Sequence, residues 1–422
     1  GEGQMSIRKG TLRLAAAAAC ALALAGAPAH AGTGDHGLPG AYLDYDFGAR
    51  AAGMGGAMAG LADDVTAILY NPAGLAMQNP IQFGVQHVML FEDTMLDFLG
   101  FAMPLEGIGN IGVGLVYLNS SGFDVRDEQY RVNNDVTNSM AKGSVLLSYA
   151  RDLMPGISAG ANVKVCYEDI FGHTGTGFGL DIGGVYNPVP EFQVGLFVNN
   201  ALPPVVLEDT YFSRVTLGLA GKLFNNALLL DADVSKSMGN QGIKWKAGGE
   251  VDVYENMAFL RAGVDDELRV ALGAGGKYMN ITLDYALSLE ALGMTHKISA
   301  GYAFGGFEVK LQAAPKIFSP VGIRKDTTMA ITATSKYPIM SWELNIKDQN
   351  GDIIRSYSGE DNPPNQIVWD GKDDRGLPAP DGNFLIQLIV TDINGKVMKS
   401  NIESVKIQSA VPLGEEGGLE FE

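Results

Sequence analysis

The residues best equipped for chemistry are few and scattered along the chain. Five histidines stand at 30, 36, 87, 173 and 296. No two have the spacing that would bring both imidazoles to one zinc, and no H-E-x-x-H occurs. No G-x-S-x-G offers a nucleophile elbow. Gly53, Gly55, Gly56 and Gly60 suggest a phosphate loop, but no strand precedes them and no Lys-Ser/Thr follows; close backbone packing is the better reason for small residues there. Asp370, Asp373 and Asp374 invite a calcium reading, yet the glycine falls at the wrong offset and no Glu closes the loop, which leaves a plain turn. A last set, Lys164, Asp181, Asp231, Asp233, Lys244, Lys246, Glu250, Arg269, Asp284 and Lys297, mixes acids and bases within alternating apolar segments. Such residues usually neutralise one another along an enclosed polar face. No enzyme, cofactor or metal site is expected.

The most punctuated stretch is "ARAAGMGGAMAGLADDVTAILYNPAGLA", residues 49–76. Its end, Asn71-Pro72-Ala73-Gly74, has the chemistry of a turn, with Pro presetting one φ and Gly accepting a positive one. Asp63 and Asp64 precede a short helix expected over Val65–Tyr70; one caps it and the other faces its positive end. Asn71-Pro72 then stops the helix before a first strand at Ile81.

What must hold these residues is β-structure. Over 157–167, Ile157, Ala159, Ala161, Val163, Val165 and Tyr167 are apolar, whereas Ser158, Gly160, Asn162, Lys164 and Cys166 are small or polar. That period of two gives each strand one greasy and one wet face. Similar segments recur at 81–91, 96–104, 109–119, 141–151, 156–167, 177–187, 191–200, 212–222, 227–236, 243–252, 256–264, 267–275, 278–288 and 296–304. An even set of about fourteen strands, each of about ten residues, is the pattern of a transmembrane β-barrel. Closure satisfies every backbone group in lipid, so no long apolar helix is needed. Apolar residues then face lipid and charged ones the lumen. A soluble sandwich also alternates, but its wet faces would carry more Lys and Glu than these do. Phe91, Tyr117, Tyr149, Tyr167, Tyr186, Tyr278 and Phe304 lie near strand ends, as an interfacial girdle requires. Links 120–140 and 168–176 read as long outer loops, and 188–190 and 253–255 as short periplasmic turns.

After Phe304 the pattern changes. Strands at 308–318, 327–334, 339–347, 352–358, 365–370, 384–392 and 396–407, parted by turn signals such as "DQNGD" and "DNPPN", suggest a small β-sandwich with Trp342 and Trp369 in its core. At the other end, Arg8, Lys9 and Arg13 precede an Ala/Leu run from Leu14 to about Ala25 and the triplet Ala29-His30-Ala31, the layout of a secretory signal peptide. Cleavage after Ala31 removes Cys20 and leaves Cys166 without a disulfide partner. The formal net charge of −18 makes nucleic acid an unsuitable partner, since phosphate binding needs a basic face.

The 49–76 stretch resembles the N-terminal signature of the PorV/PorQ family, which belongs with the FadL-type outer-membrane barrels; Asn71, Pro72 and Ala73 match it directly and Gly74-Leu75-Ala76 extend the match. The resemblance implies a small plug inside a fourteen-stranded barrel, with Asn71, Pro72, Ala73 and Gly74 as plug or ligand-binding residues. The stretch "IVWDGKDDRGLPAPDGNFLIQLIVTDINGK", 367–396, looks like the immunoglobulin-like module of flagellar hook-capping proteins, an extension the usual PorV-type protein lacks. The expected organisation is a signal peptide at 5–31, a plug segment at 32–80, a barrel at 81–306, an immunoglobulin-like domain at 307–410 and an acidic tail at 411–422. The expected place is the outer membrane of a Gram-negative-type bacterium, with the C-terminal domain periplasmic because an even strand number returns both ends to one side. Two functions follow from the resemblance. PorV-type barrels serve type IX secretion and carry cargo proteins, whereas FadL-type barrels pass long-chain fatty acids and other hydrophobic compounds. Net acidity and the appended sandwich favour binding of secreted cargo or secretion-system components; transport of hydrophobic small molecules is the alternative.

Overall fold

A computed structural model describes residues 37–90, 93–123, 126, 130–131, 139–224, 226–239, 242–254, 256–290, 293–320, 325–393 and 397–409. The expected signal peptide and acidic tail, Phe91 and most of the 120–140 loop lie outside the described residues. The chain divides into two units, residues 1–305 and 306–422.

In the first unit, fourteen antiparallel strands close a barrel: β1 Ile81–Met89, β2 Thr94–Leu105, β3 Gly109–Ser120, β4 Met140–Met154, β5 Ile157–Ile170, β6 His173–Val189, β7 Phe192–Leu202, β8 Arg214–Leu223, β9 Leu228–Ser237, β10 Ile243–Tyr254, β11 Ala258–Asp265, β12 Val270–Tyr278, β13 Ile281–Glu290 and β14 Gly293–Phe304. Each strand pairs with its sequence neighbours, and β1 closes on β14 from Ile81 opposite Phe304 to Met89 opposite His296. Closure leaves no unpaired sheet edge, the condition for a sheet to stand in lipid. The outward positions are mostly apolar, among them Leu99, Leu115, Leu147, Val163, Leu196, Leu217, Leu283 and Ile298. Tyr149, Tyr186, Phe192, Tyr254, Tyr278 and Tyr302 stand exposed toward the end where links are short, such as 106–108, 155–156 and 279–280. The opposite end carries the longer links 121–139 and 203–213. One expected loop is absent: β5 and β6 run on to Ile170 and His173, so only Phe171-Gly172 remains of the 168–176 link. The glycines and threonines of that stretch hide its alternation, yet Glu168 pairs with Gly175 and Cys166 with Gly177 in an unbroken ladder.

Residues 37–80 fill the barrel interior. They form a 3-10 turn at Ala41–Asp44, a helix Ala49–Gly53, a one-turn helix Ala67–Tyr70 and a second 3-10 helix Pro72–Met77. The expected Val65–Tyr70 helix thus begins two residues later, and the proline redirects the chain into a tighter helix where a plain stop was expected. Pro suits that position, because the first N–H of a helix has no intrahelical partner.

Among the described residues the second unit is a two-sheet structure with nine strands, where seven were expected. The segment 308–318 breaks around Pro315 into Val309–Ala314 and Ile317–Phe318, which join different sheets; 396–407 divides at Ser400 and Asn401. Pro lacks the ladder N–H, so a break there is natural. Val309–Ala314, Thr327–Ala333 and Gln366–Trp369 make one sheet, and the other is built around Gly382–Asp392 and Ile339–Lys347. Trp369 is fully buried between Phe318 and Phe384, each meeting it edge-on, while Trp342 only flanks the core. The Asp370–Asp374 stretch is a turn in which Asp373 Oδ1 accepts the Arg375 and Leu377 amides. Slight burial raises the Asp370 carboxyl, but hydrogen bonds from Lys372 outweigh this and hold it below the ordinary carboxylate range.

Candidate functional site

The lumen is where the first unit gathers its polar chemistry, and its two sides differ. Along β8 to β14 the wall presents charges, and plug residues of opposite charge answer several of them. Arg214 grips Asp44 with two bonds of 2.5 and 2.6 Å. Lys246 donates to Asp46 at 2.6 Å, with Lys297 Nζ 4.0 Å away. Lower down, Arg50 holds Glu250 through Nε and Nη2 at 2.9 and 3.0 Å, and reaches Asp63 and Asp64 at 2.5 and 3.0 Å. Arg261 completes this network on Glu250 and Asp284. Along β1 to β4 the lumen is instead largely apolar. Val88, Leu96, Phe98, Val116, Leu118 and Leu146 form one buried cluster with Phe47, Val65, Ile68 and Leu75 of the plug.

Between these sides the plug backbone lies directly on the wall. Asp233 Oδ2 accepts the Met58 and Ala59 amides at 2.9 and 3.0 Å, and Asp231 Oδ2 the Leu61 amide at 2.7 Å. Such an approach requires wall residues without side chains. A Cβ at Gly195 or Gly218 would strike Ala59, and one at Gly248 or Gly263 would strike Met54. Strands β5 to β8 and β10 to β12 thus put glycine where the plug touches, and β9 puts Asp231 and Asp233 there.

Asn71 to Gly74, singled out from sequence, are fully buried at this contact. Asn71 Nδ2 donates to the carbonyls of Ala59 (3.2 Å) and Gly184 (3.1 Å), while its Oδ1 accepts the Ala73 amide and caps the second 3-10 helix. Pro72 and Ala73 press on Gly160 and Gly183, and a Cβ at Gly74 would run into the Ala62 carbonyl. The four residues tie plug to wall and line none of the cavities described below. Asp64 Oδ1 accepts the Thr66 amide and hydroxyl at 2.8 and 2.5 Å, closing a turn just ahead of the short helix, whose N-cap position is Thr66 and carries no side-chain cap. Asp63 departs from expectation: it turns to Arg50. A guanidinium is a stronger partner than the end of a one-turn helix.

Of the charged set read from the strands, Lys164 and Asp181 pair at 2.6 Å, both completely buried, with Asn162 joining Asp181 to the plug carbonyl of Ile68. Asp231 and Asp233 break the pattern, for they have no cationic partner among the described residues. Arg50, Arg214, Arg261 and the wall glycines escaped sequence reading. Arg50 stood out only as the one charge within a small-residue stretch, and the glycines only as recurrent occupants of the wet phase.

A cavity of about 390 Å³ opens at the short-turn end between plug and wall, lined on one side by Arg50, Asp63, Asp64, Glu250 and Arg261 and on the other by Val65, Phe98 and Phe259. A groove of about 440 Å³ marks the outer wall, where His87 and Asp97 pair at 2.7 Å among Leu99, Leu115 and Ile298. Val85, Gln86, Phe98, Ser299 and Ala300 border both. Among the described residues no cluster suited to a metal ion occurs.

A model of an uncharacterised protein family (UPF0164) matches residues 39–207, and one of the FlgD Ig-like domain matches residues 321–393. No curated protein matches the chain in sequence. Among solved structures the chain is similar to a deltaS2 mutant of the monoaromatic hydrocarbon channel TodX, at 13% identity over 62% of this chain and 99% of that chain, TM-score 0.48. It is similar also to the toluene transporter TodX of Pseudomonas putida, at 14% identity over 61% of this chain and 97% of that chain, TM-score 0.44. A Pseudomonas aeruginosa FadL homologue matches at 14% identity over 61% of this chain and 98% of that chain, TM-score 0.43.

Proposed function

We propose that the protein passes hydrophobic compounds across the outer membrane, with residues 37–80 as a plug that seals the barrel until it shifts. One observation carries this reading: the apolar side of the lumen is continuous. It runs from Leu90, Met140 and Leu207 at the long-loop end, past Phe98 and Val65, to Ala102 and Ala150 near the short-turn end. A polar solute gains nothing from such a track, whereas an apolar one stays out of water along its length. Val65 and Phe98 belong both to this track and to the 390 Å³ cavity, which then receives what the track delivers. The apolar outer wall and the leader-like segment favour the outer membrane. The short-turn end is then periplasmic, and the second unit, which follows directly on β14, is periplasmic with it.

The plug is the moving part because it blocks the track: Val65 sits on Gly84 of β1, where an added Cβ would lie 4.0 Å from Val65 Cβ. That separation suits a disulfide. In vesicles carrying the Val65→Cys/Gly84→Cys chain, uptake of a labelled long-chain fatty acid should stop on oxidation and return on reduction. Uptake indifferent to the cross-link, or no greater than in protein-free vesicles, would end the transport reading. The Ig-like unit favours a second reading, handling of secreted proteins in the manner of PorV/PorQ components of type IX secretion. Absent uptake together with co-purification of secreted proteins would select it.

A further inference from the structure

Asp231 and Asp233 depart from the lumen's charge matching. Two apart on β9, they point to the same face and are almost completely buried. Each spends Oδ2 on plug amides, and each leaves Oδ1 buried with no partner among the described residues.

The charged and titratable groups facing the pair are engaged elsewhere. Lys246, opposite Asp233 on β10, donates to Asp46 of the plug; Arg214 of β8 holds Asp44; the Tyr70 hydroxyl donates to the Phe47 carbonyl at 3.1 Å. Opposite Asp231 stand only Ala220 and Gly248. There is also no room for a hydrated cation at Asp231, since a Cβ at Gly60 would already lie 2.7 Å from its Oδ1 and 2.8 Å from the Leu219 amide. A proton fits where an ion does not. Two adjacent buried carboxylates cannot both ionise cheaply, and a proton shared between them turns a repulsion into a hydrogen bond.

We infer that Asp231 and Asp233 hold one proton between them at neutral pH, and that this singly protonated pair is the latch that keeps Met58–Leu61 of the plug on β9. A cavity of about 80 Å³ reaches Asp233 beside Arg214, Thr216 and Ser235, toward the long-loop end, and gives the proton a way to water. When the plug leaves, both carboxylates meet solvent and ionise as ordinary aspartates do. The seated state therefore binds the extra proton, so rising pH favours release and falling pH favours seating. The latch does not depend on what the barrel carries.

Infrared spectra of the full chain in detergent at neutral pH should show a protonated-carboxyl C=O band that disappears from both Asp231→Asn and Asp233→Asn. Hydrogen-exchange protection of the peptide containing Met58 to Leu61, corrected for intrinsic exchange, should fall with pH by up to about tenfold per unit, the slope for one linked proton. In Asp231→Asn, whose amide can donate to Asp233 as the shared proton does, protection should persist without that slope. A wild-type band identical to that of both variants, or wild-type protection that ignores pH, overturns the inference. Protection that follows sodium or potassium concentration instead of pH overturns it in favour of a bound cation.

Discussion

At the scale of single residues, Asn71 shows what one side chain does in a packed interior. Its amide donates to two carbonyls, one within the plug and one on β6, and its oxygen caps the helix that follows. Asn71→Ala removes all three bonds and leaves buried groups unpaired, which costs about 1–3 kcal/mol for each group left unsatisfied. Asn71→Asp keeps the cap and loses both donors. Hydrogen exchange over residues 67–77 should accordingly accelerate in both variants, more in Ala than in Asp; equal rates in all three proteins would mean the ties to the wall contribute nothing. The sequence displays half of this residue's role. Asn before Pro is local turn chemistry, readable from four letters. Its bond to Gly184 spans 113 positions and exists only because the barrel closes around the plug. Arg50 was illegible for the same reason: its partner Glu250 lies 200 positions away.

At the scale of elements, period-two alternation is enough to place the strands, because lipid on one side and a filled lumen on the other impose opposite demands on successive residues. Where threonine fills the apolar phase and glycine the wet one, as in 174–177, the signal vanishes although the ladder continues. The second fact hidden in those strands is the function of lumenal glycine. Gly263 on β11 sits where Met54 of the plug passes, and any Cβ there would overlap the plug backbone. Gly263→Val should therefore displace the plug while leaving the β11 ladder intact. Vesicles with this variant should leak a small polar dye that the wild type retains, with heat-modifiable migration of the barrel preserved. Gly221→Val serves as the control, since a Cβ at Gly221 meets nothing within 4 Å and should leave the dye inside. Equal leakage from the two variants would show that the plug tolerates the added side chain.

At the scale of the whole molecule, alternation identifies which residues point inward but not which strands are neighbours across the closure. The charged and apolar sides of the lumen emerge only when β14 pairs with β1. The second unit poses a separate question, whether it is a dependent appendage or a domain that folds by its own physics. Its core answers for independence: Leu344, Ile346, Trp369, Phe384, Ile386, Leu388, Val390 and Val405 are buried against one another in a single cluster. That cluster shares no residue with the clusters of the barrel. The link between units, Gly305-Gly306, has positive φ at both residues and no side chain to anchor it. Limited proteolysis of the full chain should then cut near this link and release a fragment that melts cooperatively. Trp369→Ala removes the largest fully buried side chain, at a cost of about 3–5 kcal/mol. It should make that fragment protease-sensitive while the barrel keeps its heat-modifiable migration in detergent. If Trp369→Ala instead abolished barrel migration as well, the two units would share one folding transition, and the separate cores would not be separate sources of stability.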